Sequence, residues 1–325
     1  MPGVLISLVS LAVVLYFSDL KQLGQAIIQA DLRYILLALL LMLLWLAVRG
    51  IFWRTLLQEK ARYPDVFWTL NEGYLINNLL PFRLGEIARA FLLSRKAPVG
   101  FWEVLSTIVI ERVMDLTLAV GVLFITLPFV VGAGSQLPAA GSMGVIIILV
   151  FLALFMLARN RQWALGIFNR IGERLPVVRN LGGNIVPSLF NGLGVLTDTR
   201  RFLRAVFWVT LDWCIAVLQY FVLLKAFVPG ARLLWSTFSL GVSALGIAVP
   251  SSPGAVGVFE AAIVGSLALF AISTSVALAV AITAHVLQYL VTGALGAYGL
   301  IKDGESLFGL YRRIQRIQPS GESDS

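Results

Sequence analysis

A broken apolar stretch at residues 66–96 limits what this chain can fold into. Its first part, residues 66–80, provides about 15 residues or roughly 22 Å of helix, whereas a bilayer span needs roughly 30 Å. Pro81 and Gly85 then interrupt it, and the same segment contains three charged residues, Arg83, Glu86 and Arg89. Irregular backbone and charge are tolerated at membrane depth only where they line a protein-walled or aqueous cavity. The stretch therefore predicts a re-entrant hairpin that carries a functional site.

The composition predicts that the whole chain is a helical membrane protein. Of its 325 residues, 59% are hydrophobic and only 13% are charged, against roughly 45–50% and 25% in soluble domains. We expect an all-α polytopic membrane protein with one transmembrane domain at residues 1–310 and a cytoplasmic tail at residues 311–325. The single cysteine excludes an intrachain disulfide, and one cysteine with one histidine provides few ligands for a metal ion. We expect no metal and no cofactor, and we interpret His285 as a packed residue of a late helix.

The net charge of +8 indicates membrane topology and not nucleic-acid binding, because the basic residues lie in loops between spans. The loop at residues 159–204 contains eight arginines and only two acidic residues, so the positive-inside rule places it in the cytoplasm. The loop at residues 132–142 has no charge and is expected outside. Both termini are then cytoplasmic in a cell (inner) membrane, although Lys21 and Arg33 fall on the outer side of this scheme.

Six full spans and two broken hairpins account for the apolar runs. The full spans are expected at residues 3–17, 34–57, 104–131, a run that ends near 158, 205–227 and 276–301. The second broken run is residues 233–272, interrupted at Pro250–Gly254. If this run crosses the membrane twice, the chain has eight spans.

The two breaks share one spacing, Pro81-x3-Gly85 and Pro250-x3-Gly254. Each follows a full span and precedes another, and the two are entered from opposite sides of the membrane. Span, broken hairpin and span thus occur twice in opposite orientation, which predicts an inverted repeat typical of transporters. The alternative is that the second break is an ordinary loop between two full spans of about 17 residues, the short limit for crossing.

The residues at each break are also typical of the N-terminus of a short helix. Ser252 is suited to an N-cap and Pro253 to the first helical position, so a half-helix is expected from Gly254. Arg83 likewise precedes a helix that holds Glu86 and Arg89. Free N–H groups at two such helix starts inside the membrane would form an anion site.

Ionisable residues within the full spans are the other candidate site residues. Glu111 and Asp115 are four residues apart on one helix face, with Arg112 beside them. Asp115 lies about 17 Å from the start of its span, near the middle of the bilayer. These groups either bind a substrate or form an ion network that only holds helices together. Arg49, well inside the second span, either snorkels toward the membrane surface or faces a cavity.

Three segments resemble the signatures of a known family: Arg-Leu-Gly-Glu-Ile-Ala-Arg (83–89), Glu-Arg-Val-Met-Asp (111–115) and Pro-Ser-Ser-Pro-Gly-Ala-Val-Gly-Val-Phe-Glu (250–260). They look like those of the lysylphosphatidylglycerol synthase transmembrane family, the flippase-like membrane domain of bacterial multiple peptide resistance factors. Residues 49–54 resemble its arginine-bearing second span, and the resemblance covers nearly the whole chain.

The resemblance implies a flippase-like protein of a bacterial inner membrane that moves an aminoacylated phospholipid from the inner to the outer leaflet. The soluble domain that makes this lipid has no counterpart here, so its synthesis is not implied. Other stand-alone relatives are thought to serve glycolipid or polyprenyl-lipid pathways, and the cargo is therefore open.

We expect a lipid translocase and no enzyme. Arg83, Arg89 and the half-helix starts would hold a lipid phosphate. The acidic residues would pair these arginines or meet a cationic head group: Glu86, Glu111, Asp115 and Glu260. One alternative is a membrane enzyme with Glu86 and Asp115 as general acid and base, although the chain lacks a metal triad, a nucleophile elbow and a nucleotide motif. The other is a non-transporting scaffold for a lipid-modifying partner. The sequence leaves the energy source and the oligomeric state open.

Overall fold

The computed structural model describes residues 2–80, 83–130, 198–248, 252–307 and 309–310. Within these ranges every regular element is helical. The elements are α1 Pro2–Tyr16, α2 Leu20–Gln29, α3 Leu32–Leu56, α4 Tyr63–Leu79, α5 Leu84–Lys96, α6 Phe101–Val130, α7 Thr199–Phe227, α8 Leu233–Ala248, a 3₁₀ turn Pro253–Ala255, α9 Val258–Ala268 and α10 Thr274–Lys302.

Four of the described helices are long and apolar enough to cross a membrane, namely α3, α6, α7 and α10. They correspond to four of the predicted spans, with ends that differ by a few residues. The bent pair α1 and α2 would make a fifth if it is one span. The run that ends near residue 158, the loop at 132–142 and the tail at 311–325 lie outside the described residues. The count of six spans therefore stays a prediction.

Two boundaries differ from the sequence-based expectation. The segment between the first two predicted spans, residues 18–33, contains α2, whose axis makes an angle of 87° with that of α1. Asp19 caps this helix by accepting hydrogen bonds from the N–H groups of Lys21 and Gln22. The basic loop was predicted to end at residue 204, but α7 already begins at Thr199, because Asp198 caps its first turn. The rest of that loop, residues 159–197, lies outside the described residues.

Helix α3 shows how a long apolar helix divides its faces between lipid and protein. Leucines at positions 36, 40 and 44 are 51%, 62% and 50% exposed, whereas Ala38, Met42 and Leu46 are at most 2% exposed. The spacing of four residues keeps each set on one side of the helix. In a membrane the leucine face contacts lipid, while the other face packs into the bundle.

Two of the long apolar helices, α3 and α7, pack against each other in opposite directions. The N–H of Asp31, at the start of α3, donates to the carbonyl of Ala226 at the end of α7 (3.0 Å). At the other end, Arg204 of α7 pairs with Glu59, just after α3 (2.8 Å). The two helices are therefore antiparallel over their full length.

The first helix of each hairpin, α4 or α8, packs against a long apolar helix. Helix α4 lies against α10, and α8 lies against α6. Two glycines on α10 allow the approach of α4: a Cβ at Gly296 would lie 2.5 Å from the carbonyl oxygen of Asn71, and one at Gly299 would lie 2.7 Å from Glu72. Small residues at these two positions therefore permit the close packing of α10 against α4.

Candidate functional site

The first break is held by a tight contact between the two helices of its hairpin. Arg83 has a positive φ of 52° and is the N-cap residue of α5, which turns the chain back after α4. A Cβ at Gly85 would lie 2.0 Å from the carbonyl oxygen of Gly73, so this position requires glycine. Asn77 of α4 accepts a hydrogen bond from the N–H of Gly85 (2.8 Å). Pro81 lies outside the described residues.

The second break adjoins the first. Nη2 of Arg83 donates to the carbonyl oxygen of Ile247 at the end of α8 (2.6 Å), across 164 residues of sequence. Helix α4 also packs against the turn at Pro253–Ala255. Residues 249–251 are not among the described residues, but the described residues on both sides of them, Ile247 and the turn at Pro253–Ala255, lie next to the first hairpin.

Arg49 is the centre of a buried ionic network that joins three spans. Its guanidinium is 2.9 Å from Glu111 and 3.1 Å from Asp212, and it also pairs with Asp115. Arg49 is 3% exposed. It therefore faces the interior of the bundle and does not snorkel toward the membrane surface. Its three carboxylate partners on α6 and α7 compensate the cost of burying its charge.

Arg89 of α5 belongs to the same network. It makes two hydrogen bonds to the carboxylate of Glu111 (2.8 and 3.2 Å), and its guanidinium stacks on the ring of Trp53 at 3.9 Å. Arg89 and Glu111 are at most 1% exposed. This pair closes off the inner end of the network and holds α5 against α6.

The outer part of the network is accessible. Glu86 accepts from Nε of Arg112 (2.8 Å) and lies 3.7 Å from Arg83. The side chains of Arg83 and Arg112 are 42% and 31% exposed. Asp115 joins the two parts, because it pairs with Arg49, lies 3.8 Å from Arg112 and accepts from the indole of Trp213. Arg83, Arg112 and Glu86 are therefore the most exposed charged groups of the network.

The network is balanced in charge but is not fully satisfied. It contains four arginines and four carboxylates: Arg49, Arg83, Arg89, Arg112, Glu86, Glu111, Asp115 and Asp212. Three of its buried atoms have no hydrogen-bond partner in the described part of the chain: Arg49 Nε, Arg89 Nε and Asp212 Oδ1. Unpaired buried polar atoms cost free energy.

Glu260 and His285 form a separate pair at the second break. His285 Nδ1 is 2.5 Å from Glu260 Oε1, and its Nε2 is 2.9 Å from the carbonyl oxygen of Gly254. The second carboxylate oxygen of Glu260 accepts from the N–H of Gly257 (2.6 Å). Tyr289 packs beside the imidazole, with the ring centroids 4.5 Å apart.

The structure corrects several expectations about the breaks. The half-helix starts at Val258 and not at Gly254, because Gly254 and Gly257 have positive φ values of 64° and 88° that interrupt the helix. Ser252 is the N-cap residue of the 3₁₀ turn that begins at Pro253 and not of α9; its hydroxyl makes no capping hydrogen bond and donates to the carbonyl of Val256 (3.0 Å). Among the described residues, Glu260 pairs with His285 and with no arginine.

At both helix starts, an N–H group that was expected to be free for an anion is already hydrogen-bonded within the protein. The N–H of Gly85 is bonded to Asn77, and the N–H of Gly257 is bonded to Glu260. The protein itself thus supplies acceptors where an anion was expected. The carboxyl group of Glu260 already occupies the N-terminal end of α9.

Two members of the site were missed from sequence. Asp212 is a lone carboxylate in an apolar span, and the rule that drew attention to Asp115 applies to it equally. His285 was interpreted as a packing residue; it is buried, but both of its ring nitrogens make polar contacts. Because 25 residues separate His285 from Glu260, no helical periodicity in the sequence links the two residues.

A further polar cluster, also missed, lies at the end of the bundle where α5 and α10 terminate. Nζ of Lys96 contacts the buried carboxylate of Glu72 at 3.1 Å and also pairs with Asp303. It donates to the hydroxyl of Thr69 as well (2.9 Å). This cluster ties the ends of α5 and α10 to the middle of α4, away from the two breaks.

Comparisons with known proteins agree with this architecture. A family model described as the lysylphosphatidylglycerol synthase TM region matches residues 3–296. A UPF0104 membrane protein of Methanothermobacter thermautotrophicus is 26% identical over 84% of both chains. UPF0104 membrane protein MJ1078 of Methanocaldococcus jannaschii is 28% identical over 76% of this chain and 98% of its own. UPF0104 membrane protein PH1989 of Pyrococcus horikoshii is 21% identical over 94% of this chain and 97% of its own.

Proposed function

Because the chain belongs to the lysylphosphatidylglycerol synthase TM region family, we propose that it is a lipid translocase for a phospholipid or lipid-linked head group. One observation carries the proposal. A continuous set of ion pairs begins at the buried Arg49, passes through Asp115 and ends at three partly exposed residues, Arg112, Glu86 and Arg83. Its exposed end lies beside the two broken hairpins. Several kilocalories per mole oppose moving a head-group charge through hydrocarbon, and this set offers exchangeable partners along such a path.

The exposed and buried parts of the network have different roles in this proposal. Arg83 and Arg112 exchange a carboxylate partner for the lipid phosphate, and Arg112 offers the flat guanidinium that suits such a group. Glu86 and Asp115, once released, meet a cationic part of the head group. Arg89 and Glu111 are buried against each other, so we assign them to fixing the helices and not to binding phosphate.

The packing of the helices supports an inverted repeat as the framework. Exchanging α3 with α7, α4 with α8, α5 with α9 and α6 with α10 turns the α4–α10 contact into the α8–α6 contact. It also turns the α5–α6 contact into the α9–α10 contact, and it leaves the α3–α7 contact unchanged. Since α3 and α7 are antiparallel, the exchange reverses direction across the membrane, as inverted repeats in transporters do.

The charge distribution supports the orientation. At the end of the bundle where α3, α5 and α10 terminate, the described residues include nine lysines and arginines: Arg54, Lys60, Arg62, Arg95, Lys96, Arg200, Arg201, Arg204 and Lys302. The opposite end has four: Lys21, Arg33, Lys225 and Arg232. The positive-inside rule then assigns the first end to the cytoplasm. Helix α10 ends there, and α1 runs toward the other end, where Asp19 contacts Ser275.

Leaflet exchange in proteoliposomes tests the function. We expect the purified protein to accelerate the exchange of a fluorescent phospholipid between leaflets, with the lipid recovered chemically unchanged. Arg112→Gln should abolish this acceleration. Arg95→Gln, which changes an exposed arginine paired with Glu305 at the cytoplasmic end, is the matched control.

The lipids tested should include zwitterionic, anionic, aminoacylated and polyprenyl-phosphate species, and native mass spectrometry of co-purified lipids should guide the choice. Exchange no faster than in protein-free vesicles, for all of them, would contradict the proposal. A chemically altered lipid would instead indicate a membrane enzyme.

A further inference from the structure

The two hairpins place a glutamate at the same position of their second helix. Glu86 is the third residue of α5, which begins at Leu84, and Glu260 is the third residue of α9, which begins at Val258. The N-cap residue of each helix has a positive φ, 52° at Arg83 and 88° at Gly257. The two glutamates thus hold the same position relative to their breaks, although only Glu260 accepts from the N–H of its N-cap residue.

Each of these glutamates pairs with a basic residue at the same position of the following span. Arg112 is the twelfth residue of α6, counted from Phe101, and His285 is the twelfth residue of α10, counted from Thr274. Glu86 is 2.8 Å from Arg112, and Glu260 is 2.5 Å from His285. The two pairs differ in one chemical property. Arginine is permanently charged, whereas histidine gains and loses a proton near neutral pH.

The contacts of His285 require a proton between it and Glu260. Nε2 faces the carbonyl oxygen of Gly254, which can only accept, so Nε2 carries a hydrogen. A neutral imidazole with that hydrogen would turn the lone pair of Nδ1 toward Glu260. At 2.5 Å a lone pair facing a carboxylate oxygen is repulsive, so a proton lies between them, on one atom or the other. The pair therefore holds one proton more than a neutral histidine and a free carboxylate.

Among the described residues, no other cation pairs with Glu260 in place of this proton. In the described part of the chain, no lysine or arginine forms an ion pair with Glu260. The titratable groups that face it are His285 and the phenols of Tyr220 on α7 and Tyr289 on α10. The side chains of the pair are 6% and 11% exposed. Loss of the proton would leave a buried carboxylate opposite a neutral imidazole, which is unfavourable.

We propose that the Glu260–His285 pair is a proton-binding site that holds the second break against α10. The Glu86–Arg112 pair is its permanently charged counterpart in the first half. Release of the proton turns the lone pair of Nδ1 toward Glu260 and weakens the contact of α9 with α10, so occupancy of the site sets the position of the second hairpin. This proposal concerns proton binding and does not depend on which lipid is moved, or on whether one is moved.

The single histidine of the chain makes a direct test simple. Protein with ¹⁵N-labelled histidine and a histidine-free affinity tag gives nuclear magnetic resonance signals from His285 alone. In spectra recorded from about pH 5 to about pH 9, we expect a low-field proton shared between Nδ1 and Glu260, a protonated Nε2, and a shared proton that is released at the alkaline end of the series. In Glu260→Gln the shared proton should be absent at every pH. Glu103→Gln, which changes a pair with Lys60 at the cytoplasmic end, should leave the wild-type signals unchanged.

Two results would overturn the proposal, and both come from the wild-type protein, so a poorly folded variant does not affect the test. The first is an unprotonated Nδ1 with no shared proton throughout this range. The second is a shared proton that is neither lost nor exchanged at high pH, which would make the pair a fixed structural bond. Either result leaves the leaflet-exchange experiment valid on its own terms.

Discussion

Nη2 of Arg83 lies 2.6 Å from the carbonyl oxygen of Ile247 and so connects the two broken hairpins directly. Ile247 is in the last turn of α8, where carbonyl groups have no partner within the helix. A cation is favoured at such a helix end. Because the Arg83 side chain remains 42% exposed, it can hold the two hairpins together and still be reached by a ligand.

Replacing Arg83 should weaken phospholipid binding without unfolding the protein. Lysine keeps a point charge but not the two-pronged guanidinium, so we expect Arg83→Lys to weaken binding a few-fold and Arg83→Ala to weaken it on the order of tenfold. Binding of a fluorescent phospholipid in detergent micelles measures this effect. Arg95→Lys and Arg95→Ala are the matched controls. Unchanged binding in Arg83→Ala would show that Arg83 does not contact the lipid.

Neutralising Asp115 should separate function from stability. In Asp115→Asn, Glu111 and Asp212 still neutralise Arg49, and the new amide oxygen still accepts from Trp213. We therefore expect the variant to keep most of its thermal stability and to lose leaflet exchange. Thermal unfolding in detergent and the proteoliposome assay measure the two properties.

Glu111→Gln is the contrasting variant. Glu111 is the only carboxylate that pairs with Arg89 in the described residues, and it is fully buried. Leaving that arginine without a counterion should cost about 3–5 kcal/mol of stability. If Asp115→Asn loses as much stability as Glu111→Gln, Asp115 serves the fold and its direct role in translocation is wrong.

Cysteine labelling should locate the two ends of the bundle. Gly100 and Gly230 lie at opposite ends, and a Cβ at either position would meet no atom within 4 Å. In a Cys214→Ala background, which removes the exposed free thiol, an impermeant thiol reagent added to intact cells should label Gly230→Cys and not Gly100→Cys. Cysteines at Ser135 and Gln162 extend the test to the predicted outer and cytoplasmic loops. The reverse pattern would invert the proposed orientation.

Two glycines of α10 should respond oppositely to alanine. A Cβ at Gly296 would lie 2.5 Å from the backbone of α4, whereas Gly293 has no atom within 4 Å of a Cβ. We expect Gly296→Ala to destabilise the protein by about 1–3 kcal/mol, because α4 must move away. Gly293→Ala should be neutral or slightly stabilising, since alanine favours helix. Thermal unfolding of the two variants side by side checks this, and equal stabilities would contradict the close α4–α10 contact.

Much of the fold follows from the sequence. Four apolar runs became α3, α6, α7 and α10, because about 20 or more apolar residues satisfy their backbone groups only as a helix in lipid. The proline and glycine spacing located both breaks, since these residues limit helix formation locally. The positions of Arg49, Glu111, Arg112 and Asp115 as intramembrane charges were also evident, because such residues are rare in apolar spans.

The tertiary structure decided which of these charges meet. Arg49 and Asp212 are 163 residues apart, and Glu260 and His285 are on different helices, so no local periodicity joins them. The sequence suggested Arg89 as a phosphate ligand, but the packing of α5 on α6 pairs it with Glu111 and removes it from solvent. Partners of a buried charge are chosen by the helix faces that pack together, and desolvation makes each unpaired charge costly. The sequence therefore determines where charge enters the membrane, and only the assembled bundle determines which charges remain available to a ligand.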